Sequence, residues 1–138
     1  MANGTIAFDT LTTSDQANTG TEKSIDTSYI FNGVAKHWIL FNGTGTVAVN
    51  DSFNNSGLLD NGTGEYKISF TNIMANNTFS VTTGGAWDET GAANGANARQ
   101  GPASCEKTTE SFELHCASNT TTANDWESPT AQTLGDLA

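Results

Sequence analysis

Basic residues are scarce in this chain of 138 residues. Lys and Arg together number 5, against 15 for Asp and Glu, which gives a formal net charge of -10 at neutral pH. A chain this acidic is repelled by the phosphates of nucleic acids and by anionic membrane surfaces. The composition therefore argues against nucleic-acid binding and against a membrane-surface role, and it favours protein or sugar partners.

Long apolar runs are lacking as well. No stretch approaches the ~18 residues that a membrane-spanning helix needs, and the first ten residues have neither the basic nor the apolar region of a secretory signal. We therefore expect a protein that is made in the cytoplasm and has no membrane partner.

Cysteine is rare, with only Cys105 and Cys116 in the chain. They lie on either side of a plausible hairpin, so a cross-strand disulfide formed after release from the cell is one alternative. The other alternative is a free, buried Cys116, because this residue shares a predicted strand face with Phe112 and Leu114. A cytoplasmic origin favours the free thiol.

Turn-forming residues and short alternating segments fill most of the remaining sequence. Asn42-Gly43 supplies a tight hairpin turn, and a second turn cluster at residues 60 to 64 precedes a segment in which apolar and polar residues alternate. Helix-forming stretches are few. The predicted strands span residues 34 to 41, 46 to 50, 53 to 59, 65 to 71, 78 to 82 and 110 to 117, with a weaker last strand at residues 131 to 138.

This pattern predicts an all-β protein, an antiparallel β-sandwich of about six to eight strands. The sequence does not decide which face of the first strand is buried, because Ile39 and Phe41 on one face are apolar and so are Trp38 and Leu40 on the other. Both faces of that strand are candidates for burial. The predicted core consists of Trp38, Leu40, Val47, Val49, Phe53, Tyr66, Ile68, Phe70, Phe79, Val81, Phe112 and Leu114.

The N-terminal part has too few apolar residues to form a core of its own. Residues 12 to 21 hold almost nothing that can be buried, so we expect residues 1 to 33 to form an extended arm and residues 34 to 138 to form the sandwich domain. The few apolar residues of this part are candidate anchors in a neighbouring chain. These assembly residues are Ile6, Phe8, Leu11, Ile25, Tyr29 and Phe31.

A long loop is predicted at residues 84 to 102, which are rich in Gly, Ala and Asn. Loops of this length are usually functional or disordered, so Trp87, Asp88 and Glu89 are candidate contacts for a ligand or a partner. Capping of the core by Trp87 is an equally good interpretation. We add His115 to the candidate contacts because its ring could stack on a sugar.

No catalytic motif is present in the sequence. We expect His37 and His115 to be surface histidines on the solvent side of their strands, since neither accompanies a recognisable nucleophile motif. The acidic turn at Asp60-Asn61 could hold calcium, but it lacks the regular ligand spacing of a known loop. The prediction is a non-enzymatic protein with no catalytic residues, no cofactor and no metal.

Three segments resemble a known family. The strings AKHWILFNGTGTVAVNDSFNNSG (35 to 57), LLDNGTGEYKISFTN (58 to 72) and TIAFDTLTTS (5 to 14) are similar to a small β-domain that recurs in structural and tail-fibre proteins of tailed bacteriophages, especially those of marine bacteria. The resemblance covers roughly residues 4 to 82. Its motifs are glycine-containing hairpin turns without a catalytic signature.

This resemblance implies a virion structural protein on the particle surface, either a capsid decoration (cement) protein or a short fibre protein that assembles as a homotrimer. The major capsid protein or a tail or fibre protein would be its partner. The alternative is a fibre-tip module that recognises host surface glycans, since the strand pattern also has a distant likeness to the trimeric sandwich of H-type lectins.

Overall fold

The computed structural model describes residues 10–12, 24–86, 106–117 and 122–138. The chain divides into two compact units, Met1–Val34 and Ala35–Ala138. In the first unit β1 (Thr10–Thr12) pairs antiparallel with β2 (Ser24–Asp26), and α1 (Thr27–Gly33) follows directly. The helix corrects the prediction of an extended arm at these residues. Asp26 begins it by accepting a hydrogen bond from the Ser28 N–H at 2.7 Å.

The second unit is a sandwich of two antiparallel sheets, which confirms the predicted fold class. One sheet has four strands in the order β4-β3-β9-β7, and the other has three in the order β5-β6-β8. The strands are β3 (His37–Asn42), β4 (Ala48–Phe53), β5 (Asn55–Gly62), β6 (Glu65–Phe70), β7 (Ser80–Ala86), β8 (Ser111–His115) and β9 (Ser128–Leu134).

Asn54 carries the chain from one sheet to the other. Its φ of 57° is in the left-handed region, which Asn tolerates better than most residues. The side-chain amide donates hydrogen bonds to the carbonyls of Lys36 and Asn72, at 2.9 and 3.0 Å, and the amide oxygen accepts one from the Asn72 N–H. Asn54 therefore fixes the corner at which β4 ends and β5 begins, whereas the sequence predicted an unbroken third strand from residue 53.

The buried Tyr66 connects the turns at Gly43 and Gly64 to the core. Its hydroxyl lies 3.0 Å from both the Gly43 carbonyl and Asp125 Oδ1, and the same Asp125 oxygen accepts the Gly64 N–H at 2.7 Å. Burial, together with the hydrogen bond and the negative charge of Asp125, raises the pKa of Tyr66. Gly64 has a φ of 69°, and a Cβ there would collide with the Cys116 carbonyl, so only glycine fits this turn.

Aromatic rings fill the space between the sheets. Phe70 and Phe112, from the three-stranded sheet, have ring centroids 5.7 Å apart, and Phe79 lies 5.4 Å from Phe70. The predicted core is confirmed for Tyr66, Ile68, Phe70, Phe79, Phe112 and Leu114, which are buried. The list of predicted core residues lacks several other buried apolar residues, namely Ile39, Phe41, Met74, Trp126 and Ala131.

The predicted core is wrong for three residues on β3 and β4. Trp38, Val49 and Phe53 are exposed, because β3 turns Ile39 and Phe41 inward and β4 lies at the edge of its sheet. Leu40 is only half-buried on the same side as Trp38, while Val47 and Val81 pack partly against the core.

The histidine prediction is wrong for His37, which lies with Ile39 and Phe41 on the inner side of β3 and is fully buried.

The C-terminal strand differs most from its prediction. Residues 131 to 138 were expected to hold a weak last strand, but β9 starts at Ser128 and lies in the centre of its sheet, between β3 and β7. The buried Trp126 immediately precedes it. Cys116 is a free, buried thiol, as expected, whereas Cys105 lies outside the described residues.

Candidate functional site

The outer surface of the four-stranded sheet exposes two large aromatic side chains. Trp38 of β3 is the cross-strand partner of Phe53 on one side and of Gln132 on the other, which places these three side chains in one row. Trp38 is 36% exposed and Phe53 is 55% exposed. We call this surface the apolar face and define it by Trp38, Leu40, Asp51, Phe53, Thr82, Thr130 and Gln132.

A shallow depression of about 280 Å³ lies on the apolar face, above β3, β7 and β9. Its rim includes Trp38, Leu40 and Gln132. Gly84 contributes no side chain, and a Cβ there would come within 3.2 Å of Thr130 Oγ1. The lining residues carry no charge, so the depression suits a neutral, partly apolar ligand or partner.

The outer surface of the three-stranded sheet is charged. Glu65 of β6 is the cross-strand partner of His115, and Lys67 is the partner of Glu113 and of Leu59. His115 Nδ1 lies 3.9 Å from Glu65 Oε1, and His115 Nε2 lies 4.0 Å from Glu113 Oε2. We call this surface the charged face and define it by Leu59, Glu65, Lys67, Glu113 and His115.

Of the predicted ligand contacts, only His115 lies within the described residues, and it is half-buried on the charged face. The predicted contacts Trp87, Asp88 and Glu89 lie outside those residues. The apolar face itself was missed because its central residues were assigned to the core. The signal for it was present, since β3 has apolar residues on both sides of the strand.

A second exposed apolar surface occurs in the first unit. Tyr29 and Phe31 of α1 are 71% and 70% exposed, and Ile25 and Val34 at either end of this segment are exposed too. No residue of α1 is buried. Of the other predicted assembly residues, Ile6 and Phe8 lie outside the described residues, and Leu11 lies in β1 with a side chain that is not described.

Titratable side chains in the core are held in their neutral forms. Burial lowers the pKa of His37 to about 4, against a smaller opposing effect of the Asn55 amide. The imidazole packs edge-on against Phe70 and Phe112, at centroid distances of 5.1 and 5.6 Å. Within the described part of the chain, neither its ring nitrogens nor the neighbouring Thr133 hydroxyl has a hydrogen-bond partner in standard geometry.

Cys116 is also unsuited to chemistry at neutral pH. Burial, with a further contribution from Asp125, raises the pKa of its thiol to about 12, so the nucleophilic thiolate does not form. Among the described residues, no three His, Cys, Asp or Glu side chains are grouped closely enough to hold a metal ion. The one helix of the described residues is too short to cross a membrane. The arrangement offers surfaces for association, and the described residues form no reactive cluster.

Comparison with family models, with curated proteins and with solved structures gives no match to this chain. The function is therefore inferred from the surfaces described above and from the resemblance of the sequence motifs.

Proposed function

We propose that this protein is a structural component of a bacteriophage virion, a capsid decoration (cement) protein or a short fibre protein that forms a homo-oligomer on the particle surface. Its partners are further copies of the chain, arranged as a homotrimer, and the major capsid protein or a tail or fibre protein. It is assembled in the cytoplasm of the host bacterium and is not an enzyme. The sequence motifs of residues 4 to 82 support the phage assignment.

The observation that carries this proposal is the exposure of Tyr29 and Phe31 on a helix without a buried residue. Helices shorter than about 12 residues are marginal in water and depend on packing against other elements. α1 has seven residues. A helix this short, with two aromatic side chains that are about 70% exposed, is typical of a segment that gains stability by docking on a partner.

The energy available from such docking is sufficient for attachment. Full burial of a large apolar side chain contributes about 1.5–3 kcal/mol, and the anchors at the centre of an interface provide most of its binding energy. Tyr29 and Phe31, with Ile25, are therefore the anchors that we assign to contact with a neighbouring virion protein.

The test uses particles of the phage that encodes this chain. The double variant Tyr29→Ser, Phe31→Ser should keep its sheet signal in circular dichroism but no longer copurify with particles. Leu59→Ser, which removes an exposed apolar residue from the charged face, is the control and should still attach. Electron cryomicroscopy of wild-type particles should then place the chain on the capsid or the tail. Failure to find it in particles would contradict the proposal.

The alternative function is a fibre-tip module that binds host surface glycans, and the depression on the apolar face favours it. Sugars combine a flat apolar side, which stacks on an aromatic ring, with hydroxyl groups, which Thr and Gln side chains can bind. Adsorption of the purified protein to host cells, with loss of adsorption in Trp38→Ala, would favour this alternative.

A further inference from the structure

We infer that copies of this chain contact one another through the apolar face, the outer surface of the four-stranded sheet. The inference rests on the proposed homo-oligomer and goes beyond it by naming the surface that is buried between copies. The occupant of the apolar face is thus a second copy of the chain, and Trp38 and Phe53 are the aromatic residues of the contact.

The distribution of charge favours the apolar face as the contact between copies. Each copy has a net charge of -10, so two copies repel one another wherever their acidic residues approach. The four strands of this sheet contain a single ionised residue, Asp51 of the edge strand β4, which is the cross-strand partner of Leu40 and so lies beside it on the apolar face. The strands of the other sheet contain Asp60, Glu65, Lys67 and Glu113. Because β3, β7 and β9 carry no ionised residue, two copies that meet over these strands bring fewer charges together than two copies that meet through the charged face.

The exposed aromatic side chains also favour the apolar face as the contact. A Trp beside a Phe on an exposed surface is typical of an interface, because large aromatic rings provide much of the binding energy there. Trp38 and Phe53 are cross-strand partners on two adjacent strands. Gln132, which is polar but uncharged, adjoins Trp38 on its other side.

The area sets the strength of the contact. Four strands spaced about 4.8 Å apart, with about six residues each at about 3.3 Å per residue, give a face of roughly 400 Å² in projection. Stable interfaces bury about 800 Å² on each partner, and smaller ones are weak. In a cyclic assembly each face that turns toward the axis meets both neighbours. We therefore expect weak association that depends on protein concentration.

The experiment compares the two faces by sedimentation equilibrium. Phe53→Glu puts a charge on the apolar face at a residue that is 55% exposed, and Leu59→Glu puts the same charge on the charged face at a residue that is 57% exposed. Gln132→Lys, at an exposed position in the centre of the apolar face, is a second variant in case Phe53→Glu unfolds. Circular dichroism and thermal melting check that each variant is folded.

We expect wild type and Leu59→Glu to associate equally, and Phe53→Glu and Gln132→Lys to associate at least tenfold more weakly. Equal association of folded variants on both faces would overturn the inference while leaving the homo-oligomer intact. A wild-type mass of 14.4 kDa at all concentrations would overturn both the inference and the homo-oligomer. Attachment of that monomer to particles would still support the structural role. If the protein is monomeric and a neutral sugar protects Trp38 from oxidation, the occupant of the apolar face is a glycan and not a second copy.

Discussion

The outer surfaces of the two sheets differ although both cover the same core. On β6, the inward residues Tyr66 and Ile68 alternate with the outward Glu65 and Lys67, as expected for a sheet with one side in water. On β3, apolar residues occupy both sides, with Ile39 and Phe41 inward and Trp38 outward. The apolar residues of β3 thus exceed what the core holds, and Trp38 is left exposed on the outer surface.

The largest effect should come from the core that the two sheets share. Phe112→Ala removes a fully buried ring that packs against Phe70, Phe79 and His37, and we expect a loss of about 3–5 kcal/mol in the free energy of unfolding. Phe53→Ala, on the apolar face, should cost less than about 1 kcal/mol at concentrations where the protein is monomeric. Urea denaturation measures both. Similar losses would mean that Phe53 belongs to the core after all.

The pH dependence of stability should come next. His37 has a pKa of about 4 in the folded protein, below the ordinary value of 6.5, so the unfolded chain binds the proton more tightly. The contribution of His37 to stability is complete above pH 6.5 and is lost progressively as the pH falls from 6.5 to 4. We expect a total loss of about 3 kcal/mol, because the slope is about 1.4 kcal/mol per pH unit between pH 6.5 and pH 4.

The non-titrating variant His37→Leu isolates this effect from the titration of carboxylates. Urea denaturation between pH 4 and pH 7 should give a smaller loss of stability in His37→Leu than in wild type. Thr133→Val, which alters the neighbouring residue without changing a titratable group, should keep the wild-type dependence. Identical curves for wild type and His37→Leu would show that the pKa of His37 is the same in the folded and unfolded states.

A smaller effect is expected for the hydroxyl of Tyr66. Tyr66→Phe removes the hydrogen bonds to Gly43 and Asp125 and leaves Asp125 with fewer partners, at a cost of about 1–3 kcal/mol. Thermal melting measures it. Asp125→Asn is the variant for comparison, because its side chain keeps an acceptor for the Gly64 N–H. An unchanged melting temperature in Tyr66→Phe would show that these turns do not depend on the hydroxyl.

The smallest effect should be that of Thr133→Val. The hydroxyl of Thr133 is buried without a hydrogen-bond partner among the described residues, so its replacement by a methyl group of similar size should change stability by less than about 0.5 kcal/mol or increase it. Urea denaturation at pH 7 is the measurement. A large loss would reveal that the hydroxyl does have a partner in solution.

Where the sequence pattern was unambiguous, the fold could be predicted. The alternation at residues 65 to 70 fixed both the strand and its buried side, and the sandwich followed from the hairpin turns. The buried side of β3 could not be predicted, because period-two alternation does not distinguish two apolar faces. The central position of β9 was not predictable either, since its residues Thr130 and Thr133 give a weak signal and the neighbouring strands supply the pairing.

The candidate site was less predictable than the fold. Exposure of Ile25, Tyr29 and Phe31 agrees with their choice as anchors, but their contact with another chain stays a prediction. The helix at these residues was missed because seven residues hold too little periodicity. His37 was misplaced because a histidine among apolar residues was assumed to face water.

Hydroxyl-radical footprinting at increasing protein concentration shows whether the apolar face lies between copies. The method measures the oxidation rate of each exposed side chain. We expect the rates of Trp38 and Phe53 to fall as the protein associates, while the rate of Leu59 on the charged face stays constant. Unchanged rates at Trp38 and Phe53 in an associated protein would contradict this expectation.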